Sequence, residues 1–412
     1  MSSERIATTL GEVLTLKRGY DLPQSDRREG DFPIVSSSGV SGSHDEPKAK
    51  APGVVTGRYG TIGELFYIEK DFWPLNTSLY VKDFKGNIPR YIYYFLHSVM
   101  FSQFSDKSSV PGVNRNHLHA IEVSFERSRE AQRSVAKILG DLDDKIELLR
   151  EMNRTLEEIA RAVFRAWFVD FEPVRAKAAG ATSFRGMPQE IFDGLPIGFA
   201  DSSVGPIPMG WQVCALGQLV EFRNERIKPG PETEALPYVP IDSISARSIF
   251  LAGHKPGTEA QSSLIRVYPE DILFGAMRPY FHKVCISPFE ATTRTTVFVL
   301  KARVPWDLIY CLMLLSEDKT IEFATSSSIG STIPYAKWEG VLERMAVALP
   351  PPKIRKAFGD ALTPLIKRGM RAKAEVETLT SIRDVLLPKL ISGEIEAPSL
   401  EALGIKTAGN AG

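Results

Sequence analysis

Polar and basic side chains that suit contacts with nucleic-acid bases and phosphates are concentrated in short loops near the start of the chain. Arginine and asparagine can each make the paired hydrogen bonds that distinguish guanine and adenine, whereas serine, threonine and lysine typically hold phosphates. A glycine-rich turn, TGRYGTIGE, presents Arg58 and Tyr59 among them. The other candidates in this half are Ser36, Ser37, Ser38, Lys107, Ser108, Asn114, Arg115 and Asn116.

A comparable set of side chains recurs in the second half of the chain. Each of these residues, taken singly, is typical of an ordinary solvated loop. Their recurrence in both halves favours a face that binds DNA through base edges and phosphates. The second set comprises Arg278, Tyr280, Arg294, Ser326, Ser327, Thr332 and Lys337.

The sequence lacks the motifs of a catalytic or cofactor site. It has no Gly-x4-Gly-Lys-Ser/Thr phosphate loop and no Asp/Asn-Pro-Pro-aromatic motif for methyl transfer to an amino group. His117 and His119 have strand spacing and are expected in a loop before a strand, so they do not predict a metal site. We therefore predict no catalytic residue, no metal and no cofactor bound by this chain.

Composition bounds the remaining possibilities. A length of 412 residues suggests two or three domains, and a net charge of zero argues against a protein coated in positive charge. The three cysteines are far apart, as expected for free thiols in a reducing cytoplasm. No signal-peptide core and no long apolar run is present, so we expect a cytoplasmic protein without membrane contact.

A heptad seam in residues 128–172 is the element that must position the loops. Apolar residues alternate three and four apart, which predicts a long helix with a partner along one face. At 1.5 Å per residue such a helix reaches roughly 60 Å, too long to be buried within one small domain. The seam consists of Leu139, Leu142, Ile146, Leu149, Asn153, Leu156, Ala160, Val163 and Trp167.

A second seam follows in residues 353–392. Pro364 lies inside it and is expected to delay the regular helix until after that residue. Residues 128–172 carry 8 basic and 10 acidic side chains, whereas residues 353–391 carry 9 and 4, so the two helices have opposite charge balance. The second seam consists of Phe358, Leu362, Leu365, Gly369, Ala372, Val376, Leu379, Arg383, Leu386 and Leu390.

The two halves of the chain can be aligned as an internal repeat. Residues 53–81 match residues 271–299 without gaps, and each half ends in a long helix. The predicted fold is α+β: two mixed α/β domains in tandem repeat, separated by two long antiparallel coiled-coil helices. In this pairing Asn153 is expected to face Gly369 and Ala372, where a buried polar residue fixes the register.

The predicted boundaries follow from these changes in pattern. Residues 1–127 form the first mixed domain and 128–172 the first helix. Residues 173–210, rich in proline and glycine, form a connector expected to lie over the surface. Residues 211–352 form the second domain, 353–392 the second helix and 393–412 a tail.

Five stretches in this order resemble the specificity (S) subunits of Type I restriction-modification systems: PLNTSLYVKDFKGNIPRYIYYFL, SVPGVNRNHLHAIEV, EIARAVFRAWFVDFEPV, GPIPMGW and RDVLLPKLISGEI. The resemblance implies two target recognition domains, each reading one half of a bipartite site on double-stranded DNA. It implies that the helices set the spacer and dock two methyltransferase (M) subunits, which carry S-adenosylmethionine. It also implies a non-catalytic chain, which two restriction (R) subunits can join.

Three other functions fit parts of these observations. One is a coiled-coil adaptor that binds only protein. Another is a specificity-like subunit that lacks a nuclease partner and acts in methylation alone. The third is a self-contained methyltransferase or nuclease, against which the missing motifs argue.

Overall fold

The computed structural model describes residues 4–58, 63–104, 114–330, 332–398 and 402, without the side chains of 100–104. The chain divides into two compact units. The first unit comprises Met1–Ile146 and Thr378–Gly412, and the second comprises Glu147–Glu377. Each unit therefore includes part of both long helices, unlike the division by sequence, which treats the helices as separate segments.

The first unit contains short strands around a buried helix. Its strands are Arg5–Thr9, Thr15–Arg18, Phe32–Ser36, Gly39–His44, Gly53–Gly57, Leu65–Ile68, Trp73–Pro74, Ser78–Asp83 and Glu122–Glu126. Its helices are Leu10–Val13, Gln24–Asp26 (a 3-10 turn), Pro89–Phe104, Arg115–His119 and the start of the first long helix, Arg129–Phe168.

The second unit contains the connector, the second mixed domain and most of the second long helix. Its strands are Phe199–Ala200, Ile207–Pro208, Gln212–Ala215, Val220–Arg223, Arg226–Ile227, Leu264–Val267, Ile272–Gly275, Val284–Ile286, Ala291–Thr293, Val297–Ala302 and Ala346–Leu349. Its α-helices are the later part of Arg129–Phe168, then Glu172–Ala178, Gln189–Asp193, Pro231–Glu234, Leu308–Leu315, Asp318–Ser326 and the earlier part of the long Pro352–Ser392. Short 3-10 turns lie at Leu216–Gln218, Ile241–Ser243, Gly257–Glu259, Pro279–Phe281, Pro305–Asp307 and Leu342–Arg344.

Each unit contains a four-stranded antiparallel sheet with the same strand order. In the first unit the neighbouring strands are, in order, Thr15–Arg18, Ser78–Asp83, Gly53–Gly57 and Leu65–Ile68. In the second unit they are Val220–Arg223, Val297–Ala302, Ile272–Gly275 and Val284–Ile286. In chain order, both sheets therefore have the strand sequence first, fourth, second, third. Each mixed domain also pairs its opening strand, Arg5–Thr9 or Gln212–Ala215, with the strand before a long helix. The smaller three-stranded sheets differ, because the one in the first unit contains a parallel pair. These topologies confirm the predicted fold class of two α+β domains in tandem with long helices.

The core of the first unit lies between its four-stranded sheet and the long helices. The helix Pro89–Phe104 supplies aromatic side chains, of which Tyr91 and Tyr94 are at most 1% exposed. They share one apolar cluster with Val54 of the sheet and Leu139 of the first long helix. The apolar character all round the helix is thus explained by burial on several sides.

The first long helix begins at a defined cap. The Ser128 hydroxyl accepts a hydrogen bond from the backbone N–H of Ala131 at 3.3 Å, which satisfies one of the free donors of the first turn. The Glu126 carboxylate accepts from the backbone N–H of Ser128 at 2.8 Å. The mixed domain and the helix are therefore joined without a flexible spacer.

Within each unit the two long helices run antiparallel. In the first unit, Asp143 pairs with Arg383 at 2.9 Å, while Val135, earlier in its helix, packs in one cluster with Leu390, later in the other helix. In the second unit, the rings of Phe168 and Phe358 have centroids 5.0 Å apart, while the positive charge of Lys373, later in its helix, acts on Glu157, earlier in the other helix. Aromatic packing at this distance adds to the burial of apolar area.

The connector lies over the surface only in part, because several of its apolar residues are inserted into the core of the second unit. Val174 and Phe192 are 1% exposed, and Ile191, Leu195 and Ile207 are also buried in the main core of the second unit. The apolar residues are spaced closely enough for two short helices to turn them inward, despite the surrounding glycine and proline. The connector is therefore a structural part of the second unit.

The second long helix continues through Pro364, contrary to expectation. Proline removes only its own hydrogen bond to the residue four positions earlier, and extensive burial on both sides holds the remaining turns. Phe358, Leu362 and Ile366 are at most 3% exposed.

The predicted seam residues are mostly on the buried face of their helices. Asn153 is 4% exposed, and neither polar atom of its side chain has a hydrogen-bond partner among the described residues. Gly369 approaches the Phe250 ring so closely that a Cβ there would lie 2.0 Å from a ring atom. Ile146, Leu149, Leu156 and Val376 are buried, and Leu142, Leu365 and Leu379 are half-buried. No described helix is long and apolar enough to cross a membrane.

Candidate nucleic-acid interface

Ser36, Ser37 and Ser38 form the tight turn between the strands Phe32–Ser36 and Gly39–His44. The Ser36 hydroxyl donates to the carbonyl oxygen of Gly39 at 3.0 Å. Gly39 has a φ of 96°, which glycine adopts without steric cost. Ser36 is therefore partly engaged in its own turn, whereas Ser38 is exposed.

Arg58 follows the end of a central strand of the four-stranded sheet, at the same side as the serine turn. The backbone N–H of Arg58 donates to the carbonyl oxygen of Thr77 at 2.9 Å. The backbone N–H of Leu75 donates to the carbonyl oxygen of Val35 at 2.8 Å. The segment 75–77 thus connects the residue before Ser36 with Arg58. The structure brings these two predicted groups together.

A polar cluster on the same segment was not predicted. Arg18 contacts Asp21 at 3.3 Å, and the Asn76 amide donates to the same carboxylate. The backbone N–H of Asn76 donates to the carbonyl oxygen of Tyr20 at 3.0 Å, next to the Thr77 carbonyl that holds Arg58. The only sequence signal was the turn-forming Asn-Thr-Ser within PLNTSLY, because strand pairing brings Arg18 there from far along the chain.

Asn114, Arg115 and Asn116 lie at the start of a short helix rather than in a loop. The Asn114 side chain accepts from the backbone N–H of Asn116 at 2.9 Å and caps the helix Arg115–His119. His119 accepts from the backbone N–H of Leu16 at 2.9 Å. The expectation of a loop for both histidines was therefore wrong, and His119 anchors this helix to the domain. The predicted residues Tyr59, Lys107 and Ser108 lie outside the described residues.

The corresponding end of the sheet in the second unit carries a strained turn, which we call the knuckle, residues 278–282. Arg278 and His282 both adopt left-handed backbone conformations, with φ of 51° and 54°. Non-glycine residues in this region are uncommon and cluster at functional sites. Between them, the side chain of Tyr280 is 49% exposed.

A second segment, comprising residues 329, 330 and 332–335, is fixed against the knuckle. The backbone N–H of Arg278 donates to the carbonyl oxygen of Pro334 at 2.7 Å, and Ile329 and Tyr335 exchange backbone hydrogen bonds at 3.0 and 2.9 Å. The Tyr335 hydroxyl donates to the carbonyl oxygen of Thr295, which follows the exposed Arg294. The structure therefore brings Arg278, Tyr280 and Arg294 together.

The remaining predicted residues of this half differ in accessibility. The hydroxyls of Ser326 and Ser327 both donate to the carbonyl oxygen of Phe323, at 3.2 and 2.6 Å, and so close the end of their helix. Thr332 and Lys337 are exposed on either side of Tyr335. Lysine and threonine exposed beside arginines suit contacts with phosphates.

His282 anchors the knuckle to the helices behind it. Its Nε2 lies 2.6 Å from the carbonyl oxygen of Ser316, so this nitrogen donates and Nδ1 is the unprotonated one. Burial lowers the pKa of His282. The hydrogen bond to the Ser316 carbonyl and the negative charge of Asp318 raise it, and the positive charges of Arg247 and Arg161 lower it, so that the pKa lies below its ordinary value. The neutral imidazole is thus the form that fits this site.

We predict that the second unit loses stability as the pH falls below about 6.5, the ordinary pKa of histidine. Because the folded pKa is lowered, the unfolded chain binds the proton first, and stability rises with pH across this window. Urea unfolding at several pH values would show this slope, and His282→Gln should reduce it. The exposed His254, changed in the same way, is the control, and equal slopes for both variants would contradict the prediction.

The described residues contain no group of three or more histidine, cysteine, aspartate or glutamate side chains placed to hold a metal. Cys285 and Cys311 are fully buried, and burial raises the pKa of each thiol well above its ordinary value. Such thiols remain protonated and are poor nucleophiles. The chemistry that these surfaces offer is hydrogen bonding, charge and aromatic contact.

Known proteins provide an independent comparison. Residues 7–158 match the family model of the Type I restriction modification DNA specificity domain. The chain is 26% identical to the Type I restriction enzyme MjaIX specificity subunit of Methanocaldococcus jannaschii, over 79% of this chain and 74% of that protein. It is 22% identical to the HindI specificity subunit of Haemophilus influenzae, over 81% and 84%.

A crystal structure supports the same fold. The S subunit of the Type I restriction-modification system from M. genitalium superposes with a TM-score of 0.64 at 16% identity, covering 95% of this chain and 96% of that one. The match extends over both halves of the repeat. Together with the sequence matches, it confirms the resemblance that the motifs indicated: the chain is similar to the specificity subunits of Type I restriction-modification systems, and its residues 7–158 match the DNA specificity domain of that family.

Proposed function

We propose that this chain recognises a bipartite DNA target, one half with each mixed domain, and that its paired helices set the gap between the halves. The observation that carries the proposal is the repetition of one sheet topology, with arginine and polar loop residues at the corresponding end of the sheet in each unit: half-buried Arg58 and exposed Ser38 in the first, exposed Arg294 and Thr332 in the second. Two similar binding ends on one chain suit two short recognition sequences.

The long helices also suit the docking of partner subunits. Each carries large apolar side chains on its outer face: Leu148 and Ile159 are 60% and 41% exposed on the first helix. Ile382 and Val385 are 42% and 57% exposed on the second. Apolar residues grouped on an exposed helix face are typical of protein interfaces. We propose that two methyltransferase subunits bind there.

The chain itself acts without catalysis in this proposal. The methyltransferase subunits supply S-adenosylmethionine and the methyl transfer, and two restriction subunits can join the complex. The specificity subunit contributes affinity for the target and the orientation of its partners. The relatives named above carry the same role in their names, as specificity subunits of restriction enzymes.

We predict that Arg58→Ala weakens recognition of the first half-site alone. Loss of one paired arginine contact costs about 1–3 kcal/mol, or roughly 5- to 150-fold in affinity. A gel shift of the complex with its methyltransferase subunits should show this loss on the intact target. Arg294→Ala, an exposed arginine in the other unit, is the matched control and should affect only the second half-site.

The same experiment distinguishes the proposal from a protein-only adaptor. Duplexes altered in one half-site at a time reveal which half each variant has lost. If Arg58→Ala and Arg294→Ala respond equally to changes in either half, separate reading by the two domains is wrong. If the complex binds no duplex preferentially, DNA recognition itself is wrong.

A further inference from the structure

We propose that Tyr280 and Phe281 form an aromatic wedge that inserts between adjacent base pairs of the second half-site. The inference rests on the proposed function and adds a mode of contact to it. Inserted side chains of this kind partly unstack a base step and bend the duplex, which allows more of the protein surface to reach the DNA. The second domain would then recognise the ease of unstacking as well as base edges.

Exposure of apolar groups at the knuckle is the first observation. Phe281 is 45% exposed beside Tyr280, and the ring centroids of the two are 4.8 Å apart. Ile329 and Ile333, on the segment fixed to the knuckle, are 56% and 50% exposed. By contrast, Val40 is the only exposed large apolar residue that the structure describes within residues 4–127. A patch of this kind indicates contact with another molecule.

The backbone holds the two rings in place before any ligand binds. The backbone N–H of Phe281 donates to the carbonyl oxygen of Arg278 at 3.0 Å, and the backbone N–H of His282 donates to the carbonyl oxygen of Pro279 at 2.8 Å. The His282 carbonyl oxygen in turn accepts from the backbone N–H of Arg247 at 2.8 Å. With left-handed residues at both ends, this turn has little freedom to withdraw its rings. A rigid aromatic pair loses little conformational entropy on binding.

Cationic side chains on the segments that meet the knuckle favour a nucleic acid over an apolar protein partner. Arg294 and Lys337 are exposed nearby, and Arg278 begins the knuckle itself. Aromatic rings between cations offer stacking to bases together with charge for the adjacent phosphates.

The test uses the complete complex with its methyltransferase subunits, bound to its mapped target. 2-Aminopurine is placed at successive positions of the second half-site other than the methylated base and its neighbours, which a methyltransferase itself unstacks; its fluorescence rises when a base step is unstacked. Wild type should raise the fluorescence at one step, and Phe281→Ala should abolish the rise. Affinity should fall by about 5- to 100-fold, the range expected for loss of a stacked aromatic residue. Ile197→Ala, an exposed apolar residue of the connector, is the control and should behave as wild type.

Phe281→Trp provides a second readout that does not depend on tolerating alanine. Its added indole should stack on the bases and be quenched on binding, relative to the wild-type signal. Specific binding without a fluorescence change at any position, or a change retained in Phe281→Ala, would overturn the wedge while leaving DNA recognition intact. Release of the methyltransferase subunits by Phe281→Ala would instead assign the patch to a protein interface. Absence of specific DNA binding by the wild-type complex would overturn the proposed function and the wedge together.

Discussion

Insertion of four residues into each long helix is expected to lengthen the gap between the two half-sites while leaving both half-site sequences unchanged. Four helical residues add about 6 Å, equivalent to one or two base pairs of DNA at about 3.4 Å per pair. The insertions belong between Ile146 and Glu147 and between Glu377 and Thr378, where the two compact units divide. Both helices must be extended, since they pair antiparallel within each unit. The variant should fail on the original target and methylate one with the longer gap.

The control is the same four residues inserted after Gly186 in the connector. Gly186 has a φ of 82°, and nothing lies within 4 Å of the position that a side chain would occupy. This variant should keep the original gap, because it alters neither helix. If the helix insertions leave the gap unchanged, or if the connector insertion alters it equally, the paired helices do not set the spacing.

Arg355→Met is expected to destabilise the second unit by about 3–5 kcal/mol, the usual cost of removing one partner from a buried ion pair. Arg355 and Asp307 are 7% and 2% exposed and form an ion pair. Arg355 also donates to the carbonyl oxygen of Pro350 at 3.0 Å and stacks over Trp306 at 5.1 Å. Since Arg355 lies in the first turn of its helix, where the helix dipole disfavours a positive charge, the pairing with Asp307 explains its placement.

The pH dependence of this variant provides a further check. Burial raises the pKa of Asp307, and Arg355 opposes the shift. Without Arg355 the folded state binds the proton on Asp307 more tightly than the unfolded chain, so the loss of stability relative to wild type should become smaller as the pH falls. Denaturant unfolding at pH 7 and pH 5 measures this difference. The double variant Arg355→Met, Asp307→Leu should regain most of the loss at pH 7, and a loss equal to that of the single variant would contradict the account.

The long helices and the repeat could be predicted because their signals are local or recur along the chain. Ile146, Leu149 and Leu156 follow a heptad spacing that only a helix with a partner satisfies, and all three are buried. The burial of connector residues could not be predicted in the same way. Ile191 and Phe192 lie in a stretch rich in glycine and proline, where the apolar residues have no regular spacing. Composition predicts a loop, but packing against the second domain decides where that loop lies.

The candidate sites were predicted only in part for a related reason. Arg58 and Arg294 could be selected by residue type within loops. The contact of Asn76 with Asp21, which Arg18 also contacts, depends on strand pairing that brings distant residues together. The left-handed backbone at Arg278 and His282 has no signature in residue type, since glycine would be expected there. The knuckle therefore becomes evident only in three dimensions.

Sequencing the methylome of a host that expresses the chain with its methyltransferase partner tests the central claim most directly. We predict one methylated motif with two short specified sequences, separated by a gap of fixed length and unspecified bases. The strain that lacks this chain but keeps the methyltransferase should show no such motif. A continuous motif without a gap, or methylation that is unaffected by loss of the chain, would contradict the account.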